Sequence, residues 1–237
     1  MPGGGMKESI YTIPINESFG LFDGCPMCDL ERKADLASLE FVTGPAMMEP
    51  DVRVQTNKLG FCGPHLNAMY ARQNKLSLAL MLESHLPELD RALFAPASEA
   101  NEKSAAAKCG PDAENAVSAC YICGRVERTM RHYYDNVVFL WKSEPDFRGK
   151  FARQPFFCLP HYAGLLAGAD GALPKRARAE FTRELAGACR AYLNILSRDV
   201  SEFCASFDYR NAGKALSQEA QSSVGRAVAF LSGIPDR

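Results

Sequence analysis

The sequence predicts an all-α protein of two similar helical units, each organised by a C-x2-C…C-x2-H metal site, followed by C-terminal helices. Three observations predict it. CxxC occurs twice, at Cys25–Cys28 and Cys120–Cys123, and each pair is followed after a long spacer by CxxH, at Cys62–His65 and Cys158–His161. Apolar residues downstream of these motifs recur at helical spacing, and strand signals are few.

The elements follow in chain order. "MPGGG" precedes a second methionine and reads as an expression scar or upstream start, so residues 1–9 are set apart as a disordered start. "SIYTIPI" is the one strand-like stretch, and Pro14 demotes it to an edge strand or extended arm. Behind Cys28, Leu30, Ala34, Ala37, Leu39 and Phe41 mark a helix. From Gly63 to Phe94 the leucines, Met69 and Tyr70 predict one long amphipathic helix, with Pro64 in its first turn and a kink or break at Pro87. The Ala-, Ser-, Glu- and Lys-rich stretch that follows lacks apolar periodicity and reads as a linker or long surface loop over 96–118, with Cys109 as an exposed thiol. The units are then 10–95 and 119–237. "GRVERTMRHYYDNVVFLWK" and "KRARAEFTRELAGACRAYLNILSRDVSEFCASF" predict two helices, and Gln218–Leu231 a last one.

The two halves share more than cysteines. Phe61 and Phe157 precede the third cysteine, and Pro64 and Pro160 precede the histidine. Both spacers carry Glu-Pro-Asp-x-Arg, so Pro50–Arg53 aligns with Pro145–Arg148. Two copies of one unit is the economical reading.

The spacing carries the chemistry. Two cysteines three apart can aim both sulfurs at one ion, and a Cys and His three apart at a helix entry can do so from the other side. The result is a tetrahedral Cys3His set with no position left for water or substrate, which is a structural site and not a hydrolytic one. With each C-x2-C joined to the next C-x2-H, the sets are Cys25, Cys28, Cys62 and His65, then Cys120, Cys123, Cys158 and His161. Two zinc ions are the favoured cofactors. An iron–sulfur cluster is the alternative, since thiolate-rich sites suit it too, and a redox dithiol is a third reading that lacks the expected βαβ context. Three thiolates and Zn(II) sum to −1, which Arg32, Lys33, Arg125 and Arg128 can offset. Cys189 and Cys204 fall on the apolar stripe of a helix and read as core. His85 and His132 show no identifiable partner. Trp141 reads as packing. Asp51, Arg53 and Asn57 form a candidate polar pocket beside the first site, or a brace for its loop.

Composition excludes several function classes. Nine cysteines, an odd number, point to metal binding or catalysis before disulfides in a reducing compartment. The 27 basic and 28 acidic residues give a net charge of −1, which argues against nucleic acid as the main partner. No apolar run is long enough to span a membrane and no secretory signal is evident, so the expected location is cytoplasmic. No P-loop, Rossmann or nucleophile–base motif is present. The expected function is a non-enzymatic, metal-organised module that presents helices to another protein. The alternative is a redox or electron-transfer protein, and the sequence leaves the oligomeric state open.

At these motifs the chain resembles an uncharacterised bacterial family, a domain of unknown function met chiefly in anaerobic Firmicutes and Actinobacteria. The matching residues are Cys25, Pro26, Cys28, Leu30, Glu31, Pro50–Arg53, Thr56, Asn57, Gly60–Cys62 and His65, then Cys120–Cys123 and Phe157–Tyr162. The motifs come in order over about residues 10–207. The resemblance implies little about activity, and an anaerobic source would favour iron–sulfur chemistry.

Overall fold

A computed structural model describes residues 5–95, 105–211 and 215–233, and its architecture is all-helical, with no strand among the described residues. The α-helices are α1 (Gly5–Leu21), α2 (Pro26–Thr43), α3 (Pro50–Leu59), α4 (Gly63–Ala71), α5 (Lys75–Leu89), α6 (Ala105–Ser118), α7 (Tyr121–Ser143), α8 (Pro145–Ala152), α9 (Leu159–Ala172), α10 (Lys175–Ala205) and α11 (Gln218–Ser232). They form two compact units, Met1–Arg32 with Thr129–Arg237, and Lys33–Arg128. We call them the outer and inner units, after their order along the chain.

The outer unit is built on phenylalanine. Phe19 of α1 packs on Phe147 at 4.9 Å, Phe157 at 6.1 Å and Phe151 at 6.2 Å between ring centroids. Phe151 also meets Phe157 and Phe181, and Trp141 stands edge-on to Phe181 at 5.1 Å. All are nearly inaccessible to water. Large aromatic surfaces in such offset contacts supply much of a core's stabilisation. The Trp141 indole donates to Glu184 Oε2 at 2.7 Å, and Arg148 ties α8 to Glu180 and Glu184 of α10.

α1 corrects the expected strand or arm. Tyr11, Ile15, Ser18 and Phe19 turn to one side, with Ile15 and Phe19 fully buried, whereas Ile10 and Ile13 are exposed. That is helical periodicity, and Pro14 is absorbed inside the helix. Seven residues with a proline near their end are too few to separate a period of 2 from one of 3.6. The chain then reverses through Phe22 (φ 52°) and Gly24 (φ 83°) into Cys25.

The inner unit has a smaller-grained core of Met69, Met81, Leu39, Val42, Leu78, Phe61 and Ile122. The long helix expected from Gly63 is instead two: α4 ends at Ala71, and Asn74 caps α5 by accepting from the Ser77 amide. A side-chain oxygen satisfying a first-turn N–H is what an asparagine cap provides. Pro87 lies within α5, and a π-helical stretch over Asp90–Phe94 follows it. The expected linker is partly helical as α6. Its alanines favour helix even without an apolar stripe, and its residues 96–104 and the side chain of Cys109 lie outside the described ones.

The motif-bearing segments of both halves follow the same local course. Glu49 and Glu144 cap α3 and α8 in extended conformation, with Pro50 and Pro145 opening each helix. Cys62 (φ −68°, ψ 160°) and Cys158 (φ −65°, ψ 160°) cap α4 and α9, whose second residues are Pro64 and Pro160. Proline fits there because its missing N–H falls among donors that have no helical partner. Each aligned arginine braces the helix ahead of it: Arg148 as above, Arg53 by donating to Ser84 Oγ of α5 at 2.6 Å.

Candidate metal centres

The eight Cys and His ligands gather into two groups, but the pairing is exchanged. Cys25 and Cys28 join Cys158 and His161 in the outer unit, and Cys62 and His65 join Cys120 and Cys123 in the inner one. This corrects the expectation that each C-x2-C joins the next C-x2-H. The physical reason lies in each unit's packing. The Phe19–Phe157 contact and the Gln154 amide donating to the Phe19 carbonyl at 2.8 Å bring α1 and the loop before α9 together, placing Cys25 beside Cys158. In the inner unit the Tyr121 amide donates to the Gly60 carbonyl at 3.0 Å, which sets the Cys120 loop against Cys62. Gly60 is at φ 60°, and a Cβ there would stand 2.9 Å from His85 Nε2, so the glycine of "GFC" is required twice over.

Within each group the four ligand atoms lie within 4.8 Å of one another. In the outer set Cys28 Sγ and Cys158 Sγ are 3.5 Å apart, and His161 Nδ1 lies 3.0, 3.4 and 3.7 Å from the sulfurs of Cys158, Cys28 and Cys25. In the inner set Cys62 Sγ and Cys123 Sγ are 3.8 Å apart, and His65 Nδ1 lies 3.1 Å from Cys62 Sγ and 3.3 Å from those of Cys120 and Cys123. A tetrahedron with Zn–S and Zn–N bonds of about 2.3 and 2.0 Å has edges of roughly 3.8 Å between sulfurs and roughly 3.5 Å from sulfur to nitrogen. The donor sets fit one such ion each.

Both histidines turn Nδ1 to the sulfurs and Nε2 to a carboxylate: Asp35 Oδ1 at 2.8 Å from His65, Glu31 Oε2 at 3.5 Å from His161. A carboxylate on the far nitrogen fixes tautomer and ring orientation and raises ligand basicity, the usual arrangement around a metal-bound histidine. Sequence reading did not single out Asp35 or assign Glu31 a role, although their four-residue spacing on α2 places them on one helix face. Behind His161 stands the Tyr134 ring, at 6.2 Å, closely backed by Gly164 and Gly168 of α9. A Cβ on Gly164 would fall 2.3 Å from the ring, so this glycine seats the tyrosine.

Burial and mutual hydrogen bonds shift several of these thiols in opposite directions. Burial opposes ionisation of Cys25, but hydrogen bonds from Cys158, Cys28 and His161 overcome it and hold that thiol well below its ordinary range. Cys28 is pushed far up by its hydrogen bonds with Cys158 and Cys25, and Cys158 rises to about 12, chiefly through Cys25. In the inner set burial again opposes, yet bonds from His65 and the backbone of Cys123 and Cys62 bring Cys120 down to about 6, while burial and the Cys120 charge send Cys123 up to about 12. His65 rises to about 9, mainly through Cys120, against burial and with help from Asp35. Cys25 and Cys120 thus take negative charge most readily, whereas Cys28, Cys158 and Cys123 resist it, as crowded thiols do.

The remaining candidates separate. Arg53 and Asn57 meet through Ser84, which donates to Asn57 Oδ1 at 2.9 Å, whereas Asp51 is exposed and apart from them. His85 has a partner after all, the Asn57 carbonyl at 2.9 Å, and His132 stacks on Tyr11. Cys189 donates to the Phe157 carbonyl and Leu196 is buried, but Leu193 and Cys204 are exposed, as is Phe207 beyond the helix, so the apolar stripe of α10 is narrower than its sequence suggests. Arg32 pairs with Asp29, and Arg125 lies over the Phe41 ring at 4.0 Å.

No helix among the described residues is long and apolar enough to cross a membrane. Neither a curated protein nor a solved structure matches the chain. A family model does, over residues 6–237, and the chain therefore belongs to DUF6062, a family of unknown function.

Proposed function

We propose that each ligand set holds one zinc ion as a closed structural site, and that the chain is a non-enzymatic cytoplasmic module, made of an internal repeat, that presents helices to a protein partner. The observation that carries this reading is the pair of four-donor groups, each within the span of one tetrahedron and each with its histidine backed by a carboxylate. An iron–sulfur cluster spreads its ligands over several irons with sulfides between them, so it asks for a wider spacing than 4.8 Å allows comfortably. Four protein donors leave no coordination position for a substrate, which favours scaffolding over catalysis. The ions offset charge on crowded thiolates and hold short helices in place.

Elemental analysis and an ultraviolet–visible spectrum of anaerobically purified protein test the reading. Two zinc ions per chain and no visible colour are expected. Iron with acid-labile sulfide and a broad visible band would overturn zinc in favour of a redox role, and an absence of any stoichiometric metal would overturn both.

A further inference from the structure

The two ligand sets meet water differently. In the outer set Cys25, Cys158 and His161 are buried and Cys28 is partly covered. Cys25 and Cys28 do border a cavity of about 520 Å3, but Leu21, Phe156, Ala229 and Gly233 also line it, so an approach to that set passes the end of α11. A Cβ on Gly233 would lie 3.8 Å from Cys158 Sγ, which shows how closely the helix end covers the third sulfur. In the inner set Cys123 is exposed and Cys62 partly so, while Cys120 and His65 are buried.

Taking the zinc reading as its basis, we propose that the inner set is an exchangeable metal site with Cys123 as its entry ligand. The ion there passes to and from acceptors that present thiolate or nitrogen donors, while the outer ion stays in place. Exchange needs an incoming donor to reach the ion or displace a ligand, and the most accessible thiolate is the one displaced first. The step is a ligand substitution without redox change: the acceptor's donor atom bonds to zinc, the zinc–sulfur bond of Cys123 breaks, and the released thiolate takes a proton from water. Cys62 follows, then Cys120 and His65, whose ring Asp35 holds in place to the end. Because the ion links α4 to the start of α7, its loss loosens Lys33–Arg128, and the inner unit becomes a fold that reports on available zinc.

The test uses the full chain loaded with two zinc ions and mixed with excess 4-(2-pyridylazo)resorcinol, whose zinc complex is coloured. The expected result is one equivalent released in a fast phase and the second slower by an order of magnitude or more. N-ethylmaleimide added during the fast phase, with peptide mass mapping, should mark Cys123 and Cys62 while Cys25 and Cys158 stay unmodified. Release of both ions in one phase, or early modification of Cys25 and Cys158, overturns the exchange proposal and leaves the two-zinc reading standing. A chain that never holds two zinc ions removes the basis for both.

Discussion

The outer and inner units hold the same four donors in nearly the same geometry on very different supports. The outer unit packs Phe19, Phe147, Phe151, Phe157 and Phe181 in its core, all essentially dry. The inner unit packs Met69, Met81, Ile122, Phe61 and shorter aliphatics, and one of its four donors, Cys123, is exposed. Burying a phenylalanine is worth about 1.5–3 kcal/mol, so five of them are expected to give the outer unit a core that is less dependent on an ion. Binding zinc in a small metal-organised domain is worth about 10–16 kcal/mol, comparable to the whole stability of an ordinary domain. The comparison teaches that one donor motif can be built on an aromatic core in one place and on a smaller-grained aliphatic and methionine core in another.

Removing a histidine ligand from each set is the strongest way to break that comparison. His65→Ala should lower zinc content from two to one and abolish amide exchange protection across Lys33–Arg128. His161→Ala should lose one ion as well, yet keep slow exchange in α8 and α10. Equal collapse in both variants would refute the contrast in support. Cys25→Ser examines the exchanged pairing in the same experiment: protection should drop at the start of α9, around His161, and not at the start of α4, around His65. The opposite pattern would restore the sequential pairing.

Next in size is the core itself. Phe151→Ala removes a side chain that touches Phe19, Phe157 and Phe181, and should cost about 3–5 kcal/mol by denaturant unfolding of the zinc-loaded protein. Zinc stoichiometry should remain two, because no ligand is disturbed. Loss of the outer ion in this variant would show that the phenylalanines and the metal are not separable supports.

The carboxylates behind the histidines sharpen the comparison further. Asp35→Asn removes a partner at 2.8 Å and should weaken zinc binding at the inner set by about tenfold or more in competition with a chelator. Glu31→Gln, at 3.5 Å, should do less at the outer set. Equal losses would mean that the carboxylates act only through general negative charge.

These contrasts mark where the sequence was legible. That these eight Cys and His donors would gather in fours could be read because CxxC and CxxH fix which donors share a loop. Which loops meet could not, since that depends on Phe19 reaching Phe157 and Tyr121 reaching Gly60 across long stretches of chain. All-α architecture followed from apolar periodicity, and α7, α10 and α11 are long enough for it to be unambiguous. α1 was misread because its strand-like window spans about two helical turns and contains a proline. The break between α4 and α5 was visible in principle as Asn74 with Ser77 three residues on, a capping arrangement hidden under a continuous run of leucines. The Glu31 and Asp35 roles needed the far ends of their contacts, which no local pattern in α2 discloses.

The smallest effect concerns the ion pair between α10 and α11 of the outer unit. Asp199 is buried, accepts from Arg226 at 2.7 Å and from Arg198 at 3.1 Å, and its carboxyl is held below the usual aspartate range by Arg226 first, with burial opposing and Arg198 assisting. A carboxyl whose pKa is lower in the folded chain contributes stability that is complete above its ordinary pKa of about 3.9 and is lost as the pH falls through the folded value. Amide protection factors in α11, measured against the intrinsic rate at each pH, should therefore fall below about pH 4. Zinc also leaves thiolate sites in acid, so the contribution of the ion pair is isolated by comparison with Arg226→Met, in which α11 should be less protected at neutral pH and lose less further protection in acid. If both proteins respond to acid alike, α11 is held by its Phe230 contacts with Phe156 and Tyr192 alone, and the cover it places over Cys158 owes nothing to Asp199.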